Sequence, residues 1–190
     1  LQSFLKHGNY PHKFVGNKED LHGCSKLIIP GVGNMKFLMS TLEKTDLKKA
    51  IIEFSANKKN KLLGICLGMQ ALLTTSQEYR NGFCLNLIPG EVKRIEQRKN
   101  VKLPHIGWNK VLDFNKFSSP LFSDLVDPFF YFSHNYVCSN LSPEVTVYNF
   151  YYHKTYTAFL ELENIYGCQF HPEKSGRTGY VFLTNFCNLN

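Results

Sequence analysis

Residues 62–68 have the sequence LLGICLG, which is the most informative part of the chain about its fold. The apolar residues before Cys66 are typical of a short strand that is buried on both faces of a parallel sheet. Residues 69–73 then have the apolar pattern of a helix. Glycines lie two positions before and two positions after the cysteine, and their lack of a Cβ atom suits a tight, strained turn. The stretch therefore predicts a strand, a sharp turn and a helix, with Cys66 at the carboxyl end of the sheet.

This turn has the context of a nucleophile elbow in which cysteine replaces serine. The N-terminus of the following helix would favour the Cys66 thiolate, and the Leu67 amide would point at the oxygen of an attacked carbonyl. A second interpretation is a buried structural cysteine that happens to lie between glycines. The elbow residues alone do not decide between these interpretations.

A second motif, QFHPEK at residues 169–174, ends an apolar strand. Residues two apart in an extended chain point the same way, so His171 and Glu173 are predicted to lie side by side. We expect Pro172 to keep this backbone extended and to prevent a helical turn. His171 can then act as general base towards Cys66, while Glu173 orients and stabilises the imidazolium. A lone His-Pro-Glu also occurs in exposed turns, but its position at a strand end, far downstream of a cysteine elbow, favours a triad.

Outward from these motifs, the first half of the chain alternates strands and helices. Residues 27–29, LII, predict another short buried strand, and PGVG at 30–33 closes it as a loop. Apolar residues recur every three or four positions over 35–42 and again over 47–54, which predicts two helices with a break near residues 45–46. This order predicts an α/β architecture, with a parallel sheet covered by helices on both faces.

The second half is richer in aromatic and β-branched residues, which favour strands. Strands are predicted at 91–95, 108–114, 129–137, 145–152, 155–162 and 165–170, as antiparallel pairs or extensions of the sheet, with turns at 153–154 and 163–164. A final helix is predicted over 181–186, and an amphipathic helix is predicted over the first residues, ended by Gly8 and Asn9.

Composition limits the class of protein. A chain of 190 residues with 43% hydrophobic residues is interpreted as one domain, 1–190. No apolar run approaches the roughly 20 residues of a membrane span, and no signal peptide is evident, so we expect a soluble, cytoplasmic protein.

The six cysteines lack metal-ligand spacing and are expected as thiols, with no metal and no cofactor. The net charge of +7 comes with no nucleic-acid motif, and an anionic ligand or acidic partner surface fits it better.

Three motifs together resemble those of the class I glutamine amidotransferases: PGVG at 30–33, GICLGMQ at 64–70 and FHPE at 170–173. Their order and spacing also fit, and the resemblance runs over the whole chain. It implies a flavodoxin-like, three-layer α/β fold with a mixed central sheet. It also implies a glutaminase in which the triad described above releases ammonia from glutamine for a partner enzyme.

Within that family, three stretches resemble the glutaminase subunit of imidazole glycerol phosphate synthase: LPHIGWN at 103–109, YFSHNY at 131–136, and Lys174-Ser175. The resemblance implies a heterodimer with a β/α-barrel synthase (cyclase) subunit. That subunit would make imidazole glycerol phosphate and aminoimidazole carboxamide ribotide for histidine biosynthesis. Three alternatives stay open: a paralogous subunit supplying ammonia for amino- or amidino-sugar synthesis, a catalytically silent scaffold, and a general cysteine amidase of similar fold.

The resemblance also implies roles for individual residues. The loop that completes the oxyanion hole beside Leu67 would consist of Gly31, Val32 and Gly33. The glutamine pocket would be lined by Gln70, His134, Asn135 and Tyr136. The synthase partner would be faced by Trp108, Asn109, Tyr131 and Lys174. Each of these roles has a plain structural alternative: Trp108 and Tyr131 as core aromatic residues, Lys174 as a solvated surface lysine, and Gln70 as an ordinary helix-surface residue.

Two features depart from the family pattern. Asn135 stands where serine commonly follows the histidine, which matters only if the side chain makes the contact. The family normally opens with a strand and a turn that contains Asp-Tyr-Gly and Gly-Asn, and this sequence begins after them. We therefore expect the first strand of the sheet to be missing, which would expose ladder groups of its neighbour.

Overall fold

The computed structural model describes residues 1–80, 82–99, 101–113 and 118–190. Its helices are α1 (Gln2–His7), α2 (Met35–Lys44), α3 (Leu47–Ala56), α4 (Leu67–Ala71) and α5 (Gly176–Cys187). Its strands are β1 (Lys26–Ile29), β2 (Lys61–Ile65), β3 (Thr75–Ser76), β4 (Gly82–Phe83), β5 (Glu91–Arg94), β6 (His105–Lys110), β7 (Phe129–His134), β8 (Tyr136–Ser139), β9 (Thr146–Tyr152), β10 (Lys154–Leu162) and β11 (Ile165–Cys168). The end of one predicted strand, Phe114, lies outside the described residues.

The central sheet has the strand order β1-β2-β11-β10-β9 within the described ranges. β1, β2 and β11 run parallel, and β10 and β9 continue the sheet antiparallel. The parallel arrangement expected from the first half and the antiparallel extension expected from the second half are therefore both present, and the sheet is mixed. The two predicted turns contain His153 and Glu163, each with a positive φ.

Helices cover both faces of this sheet, which gives three layers. Leu62 packs in one buried cluster with residues of α2 and α3, whereas Leu63 packs in the other cluster with Phe182 and Phe186 of α5. Adjacent residues of a strand point to opposite faces, and both leucines are fully buried. The strand that leads to Cys66 is therefore buried on both faces, as predicted.

The two helices predicted after the first strand are confirmed as α2 and α3. Met35 and Met39 of α2 and Ile51 and Phe54 of α3 are buried, at the three- and four-residue spacing that places them on one face of each helix. Asp46, between the helices, has φ 56°. This left-handed residue interrupts the helical path at the predicted break.

The strand predicted over 129–137 is divided at Asn135 into β7 and β8, so that prediction is wrong in one respect. β7 pairs with β6, whereas β8 pairs with β5 in a different sheet. Strands of two different sheets do not share one continuous ladder, so the chain must change direction between them. The break leaves His134 and Tyr136 on either side of it.

Smaller differences concern the first and middle strands. Leu27 and Ile29 of β1 are buried but Ile28 is only partly buried. β6 begins at His105, earlier than predicted.

All six cysteines are free thiols. In the part of the chain that the structure describes, no helix has the length and hydropathy to cross a membrane.

Candidate active site

The turn at Cys66 has the strained geometry that the sequence predicts. Cys66 has φ 51° and ψ −104°, a conformation that residues other than glycine rarely adopt. A Cβ atom on Gly68 would lie 2.0 Å from the Ile29 carbonyl oxygen, so only glycine lets the chain segments meet this closely. α4 begins at Leu67, directly after the cysteine. The sulfur therefore lies at the carboxyl end of β2, beside the first turn of a helix.

His171 and Glu173 are in contact, with 2.9 Å between the ring Nδ1 and a carboxylate oxygen. The predicted pairing is present, but the predicted extended backbone is wrong, because Pro172–Lys174 forms a 3-10 turn. Proline suits the first position of such a turn, where its fixed φ is helical and its missing N–H costs nothing. The His171 N–H donates to the Tyr131 oxygen at 2.8 Å, and the Ser175 hydroxyl donates to the His171 oxygen at 2.6 Å.

Electrostatics couple the cysteine, the histidine and the glutamate. Burial lowers the pKa of His171, but hydrogen bonds with Cys66 and Glu173 outweigh burial and raise this pKa to about 9. Burial raises the pKa of Glu173, but the hydrogen bond and charge of His171 outweigh burial and lower it overall. His171 therefore holds a proton at neutral pH, between a sulfur and a carboxylate. Such a group can stabilise a thiolate and then give its proton to a leaving group.

Cys66 and His171 open into a cleft with a volume of about 280 Å³, near the lower end of the roughly 300–1,000 Å³ typical of small-molecule sites. The cleft is also lined by Gly31, Val32, Gly33, Leu67, Gln70, His134, Asn135, Tyr136 and Lys174. The structure thus brings together the residues predicted for the oxyanion hole and the glutamine pocket. Within the described ranges, no group of three or more His, Cys, Asp or Glu side chains could hold a metal ion.

The loop at residues 30–33 has one fixed end and one free end. A Cβ atom on Gly31 would lie 1.8 Å from the Ile65 oxygen and 2.4 Å from the Leu67 nitrogen, so this glycine packs directly against the elbow. Val32 is 79% exposed. Gly33 has φ +113°, and a Cβ atom there would meet nothing within 4 Å.

Two of the polar side chains predicted for the pocket, Gln70 and His134, are buried rather than on the surface. Gln70 is 3% exposed, which excludes an ordinary helix-surface position. The His134 Nδ1 atom lies 2.9 Å from the Tyr136 oxygen, and its Nε2 atom lies 3.1 Å from Nδ1 of His105. Burial, with the neighbouring His105, lowers the pKa of His134 to about 3. A neutral ring that is hydrogen-bonded at both nitrogens is a poor alternative to His171 as a base.

The residues predicted to face a partner form a surface beside the cleft, with one exception. Trp108 is 57% exposed and meets the Tyr131 ring edge-on, with 6.3 Å between centroids. The Lys174 ammonium lies 5.8 Å from the same tyrosine ring. Asn109 instead turns its amide to the Tyr151 oxygen, at 2.9 Å. A core position is therefore excluded for Trp108, and the three contacting side chains make one patch.

Three polar residues at the site were missed by the sequence analysis: Glu78 and Ser133, which line the cleft, and Gln169, whose amide Nε2 lies 3.5 Å from the Cys66 sulfur. A signal existed for Gln169, because it is polar in an apolar strand and lies two residues before His171, on the same side of an extended chain. Burial raises the pKa of Glu78, although a backbone N–H bond opposes this rise. No local pattern marked Glu78 or Ser133.

Comparisons with known proteins agree with this geometry. The family described as glutamine amidotransferase class-I matches residues 9–188. Relatives named imidazole glycerol phosphate synthase subunit HisH, from Leptospira borgpetersenii and Chlorobium chlorochromatii (strain CaD3), are 36% and 40% identical, over 97% and 95% of this chain and 91% and 86% of their own. A relative named subunit HisH 2, from Campylobacter jejuni (strain RM1221), is 38% identical over 88% of this chain and 80% of its own.

Solved structures show the same fold at lower identity. A crystal structure of a glutamine amidotransferase has a TM-score of 0.75 at 18% identity, covering 97% of this chain and 91% of that chain. PurLQS from Thermotoga maritima has a TM-score of 0.68 at 17% identity, covering 93% and 84%. The predicted three-layer fold with a mixed sheet is confirmed. The chain belongs to the class I glutamine amidotransferase family. It is an enzyme of the glutaminase-subunit type that its HisH relatives represent.

Proposed function

We propose that residues 1–190 form one glutaminase domain that hydrolyses glutamine and passes the ammonia to a β/α-barrel cyclase subunit. In this proposal the heterodimer is an imidazole glycerol phosphate synthase that works in the cytoplasm, in histidine biosynthesis. The observation that carries the chemistry is the 2.9 Å contact between His171 and Glu173 beside a strained cysteine that opens into a cleft. The names of the HisH relatives support the pathway and the partner.

The proposed reaction begins with the Cys66 thiolate, whose proton His171 holds. The sulfur attacks the carbon of the glutamine side-chain amide, and the developing oxyanion is stabilised by the Leu67 N–H and by the loop at residues 30–33. His171 then protonates the nitrogen, the C–N bond breaks, and ammonia leaves a γ-glutamyl thioester. Water, deprotonated by His171, cleaves the thioester to glutamate. Glu173 keeps the imidazole oriented and stabilises its charged form.

Recognition of glutamine needs a group that binds its α-ammonium. Among the described residues that line the cleft, Glu78 is the one carboxylate. It is partly buried, where an ion pair with the substrate is screened less than at the surface. We assign the α-ammonium to Glu78 and the side-chain amide to Cys66. Gln70, His134, Asn135 and Tyr136 also line the cleft.

The partner is proposed to dock on the patch formed by Trp108, Tyr131 and Lys174. Trp108 is a large exposed aromatic residue, and tryptophan and tyrosine are enriched among the residues that dominate binding energy. Lys174 belongs both to this patch and to the lining of the cleft. Ammonia released at Cys66 would therefore leave on the side that the barrel covers. Asn109 is a weaker candidate, because its amide is already bonded within the chain.

The decisive experiment replaces the nucleophile. Cys66→Ala abolishes glutamine hydrolysis, because Cys66 is the one thiol among the described residues that line the cleft, and leaves the partner's use of ammonium salts intact. Glutamate release and ammonium-dependent cyclase turnover are measured on the same complex. Cys24→Ala is a matched control, because Cys24 is a free, partly buried thiol outside the cleft. Near-normal glutamine-dependent turnover in Cys66→Ala would contradict the proposal.

A further inference from the structure

A buried chain of two side-chain amides ends on the reacting sulfur. The Gln70 Nε2 atom lies 3.0 Å from the Tyr136 carbonyl oxygen and 3.0 Å from the Gln169 Oε1 atom. The Gln169 Nε2 atom lies 3.5 Å from the Cys66 Sγ atom. Gln169 is 0% exposed and Gln70 is 3% exposed. The amide chain therefore runs from β8 to the nucleophile, almost entirely out of contact with water.

The direction of this chain is fixed by its first member. A backbone carbonyl can only accept hydrogen bonds, so the end of the Gln70 amide that meets Tyr136 must be its NH₂ group. That group also meets Gln169, so the Gln169 atom facing it must be the oxygen. The NH₂ group of Gln169 is then left facing the sulfur. Reversing either amide would set two acceptors or two donors against each other.

We propose that Gln169 donates a hydrogen bond to the Cys66 thiolate, and that Gln70 positions the Gln169 amide for this task. The proposal rests on the proposed glutaminase function, in which Cys66 is the nucleophile. Gln169 contacts the reacting sulfur directly, whereas Gln70 acts through Gln169. The sulfur is thus held between an imidazolium on one side and an uncharged donor on the other.

The uncharged donor has a physical purpose that His171 cannot serve alone. His171 gives its proton to the departing nitrogen and later takes one back from water, so its charge changes during the cycle. The sulfur is a thiolate before it attacks and again when the thioester C–S bond breaks, and the Gln169 amide, which does not transfer its proton, can donate to it at both stages. A hydrogen bond to a charged group contributes about 1.5–3 kcal/mol, which corresponds to about 10-fold to 100-fold in the thiolate population.

The experiment measures the thiol directly. Gln169→Met keeps an unbranched side chain of similar length and removes the donor. The rate of Cys66 alkylation by iodoacetamide is followed from pH 5 to pH 10 by mass spectrometry of the peptide that contains Cys66. We expect the pH midpoint of alkylation to rise by about one unit, which is a 10-fold effect, while the plateau at high pH is kept or raised, since a less stabilised thiolate is a better nucleophile. The pH profile of glutamine hydrolysis shifts in the same direction.

Two further variants make the result decisive. Gln70→Met keeps Gln169 but removes the amide that orients it, so we expect a smaller upward shift in the pH midpoint of Cys66 alkylation. If Gln169→Met does not fold, Gln70→Met tests the proposal in its place. Thr184→Val is the matched control, since this side-chain oxygen in α5 is buried without a hydrogen-bond partner among the described residues, and it leaves the midpoint unchanged. An unchanged midpoint in the folded Gln169→Met or Gln70→Met variant overturns the proposal, as does an equal loss of rate at every pH. Even then, Cys66→Ala would be expected to lose glutaminase activity, so failure of this inference can be distinguished from failure of the proposed function.

Discussion

The two halves of the proposed oxyanion site are built in opposite ways. The elbow is buried and tightly packed, with Cys66 only 7% exposed and no room for a Cβ atom on Gly68. The loop at residues 30–33 reaches into solvent, with Val32 79% exposed and open space around Gly33. One half is fixed by the strands beneath it. The other packs against the elbow at Gly31.

Because of this difference, we expect the chemistry to depend on the buried half of the site and its control to depend on the exposed half. Buried segments with many contacts open only at a cost near that of global unfolding, whereas exposed segments with few contacts rearrange easily. The nucleophile and its base are therefore expected to be ready in the isolated chain. The second oxyanion donor, supplied by the loop, is the part that a partner can move. Substitutions at the buried nucleophile and base should therefore reduce the chemistry itself, whereas substitutions in the loop should reduce activation by the partner.

The largest effect is expected on the fixed side, at the base. His171→Ala lowers glutamine hydrolysis by several orders of magnitude, because general acid–base catalysis alone contributes roughly 10²–10⁴ and triad members act as a unit. The loss should be the same with and without the partner, since it removes chemistry rather than coupling. Initial rates of glutamate release give the measurement. If the variant keeps normal activity, the base has been misassigned and His134 is tested next.

A smaller effect is expected from Glu173→Gln, which keeps the shape of the side chain but removes its charge. Removing the acidic member of a triad costs roughly 10 to 100 times less than removing the base. The same variant changes the pH dependence of stability. The raised pKa of His171, to about 9, stabilises the folded chain below the ordinary histidine pKa of about 6.5, and this contribution is lost as pH rises through 9.

In Glu173→Gln one of the causes of the raised pKa is absent, so the decline in stability between these pH values becomes shallower. Urea unfolding at pH 6, 7.5 and 9 tests this expectation. Glu163→Gln is a suitable control, because Glu163 is an exposed carboxylate in the turn between β10 and β11. Parallel stability curves for wild type and Glu173→Gln would contradict the assigned contact between His171 and its carboxylate.

The same contrast explains which parts of the molecule could be predicted from sequence. The elbow was predictable because a glycine on each side, an apolar strand and a helix all specify one turn. The helices α2 and α3 were predictable because their apolar residues recur with helical spacing. These are local patterns, and each is complete within a few residues. The contact between His171 and Glu173 was predictable, but the backbone conformation was not, since Pro172 suits both an extended chain and a 3-10 turn.

What could not be predicted depends on residues that are distant in sequence. The break at Asn135 arises because β7 and β8 join different sheets, and pairing partners are not encoded in a single strand. Glu78 lies in a 3-10 turn, Gln77–Tyr79, that follows β3, and no periodicity marks the direction of its side chain. Gln169 was quoted as part of a motif, yet its bond to the sulfur required the position of Gln70. Sites assembled across the sheet therefore need the structure.

The smallest effects on chemistry, and the most informative on control, are expected in the free loop. The isolated subunit should hydrolyse glutamine slowly, because one oxyanion donor is worth about 10²–10³ in turnover and the loop has few contacts to hold its own donor in place. Glutamate release should rise with the barrel partner and again with partner plus its substrate. Trp108→Ala and Lys174→Ala should blunt this rise, whereas Phe14→Ala, an exposed aromatic change outside the patch, should not. Equal rates in all three states would favour an autonomous amidase.

Gly33→Ala separates control from catalysis most directly. Its φ of +113° is one that a residue with a Cβ atom rarely adopts, yet a methyl group would meet nothing within 4 Å, so the substitution changes only the preference of the backbone. We expect the basal rate of the isolated subunit to change little, while activation by the partner falls about 10-fold or more because the loop no longer adopts the required conformation. Gly23→Ala is the matched control, with φ +74° and equally open surroundings away from the cleft. If both alanine variants were activated as strongly as wild type, the loop would have to be regarded as already in place, and the difference between the two halves of the site would not be a switch.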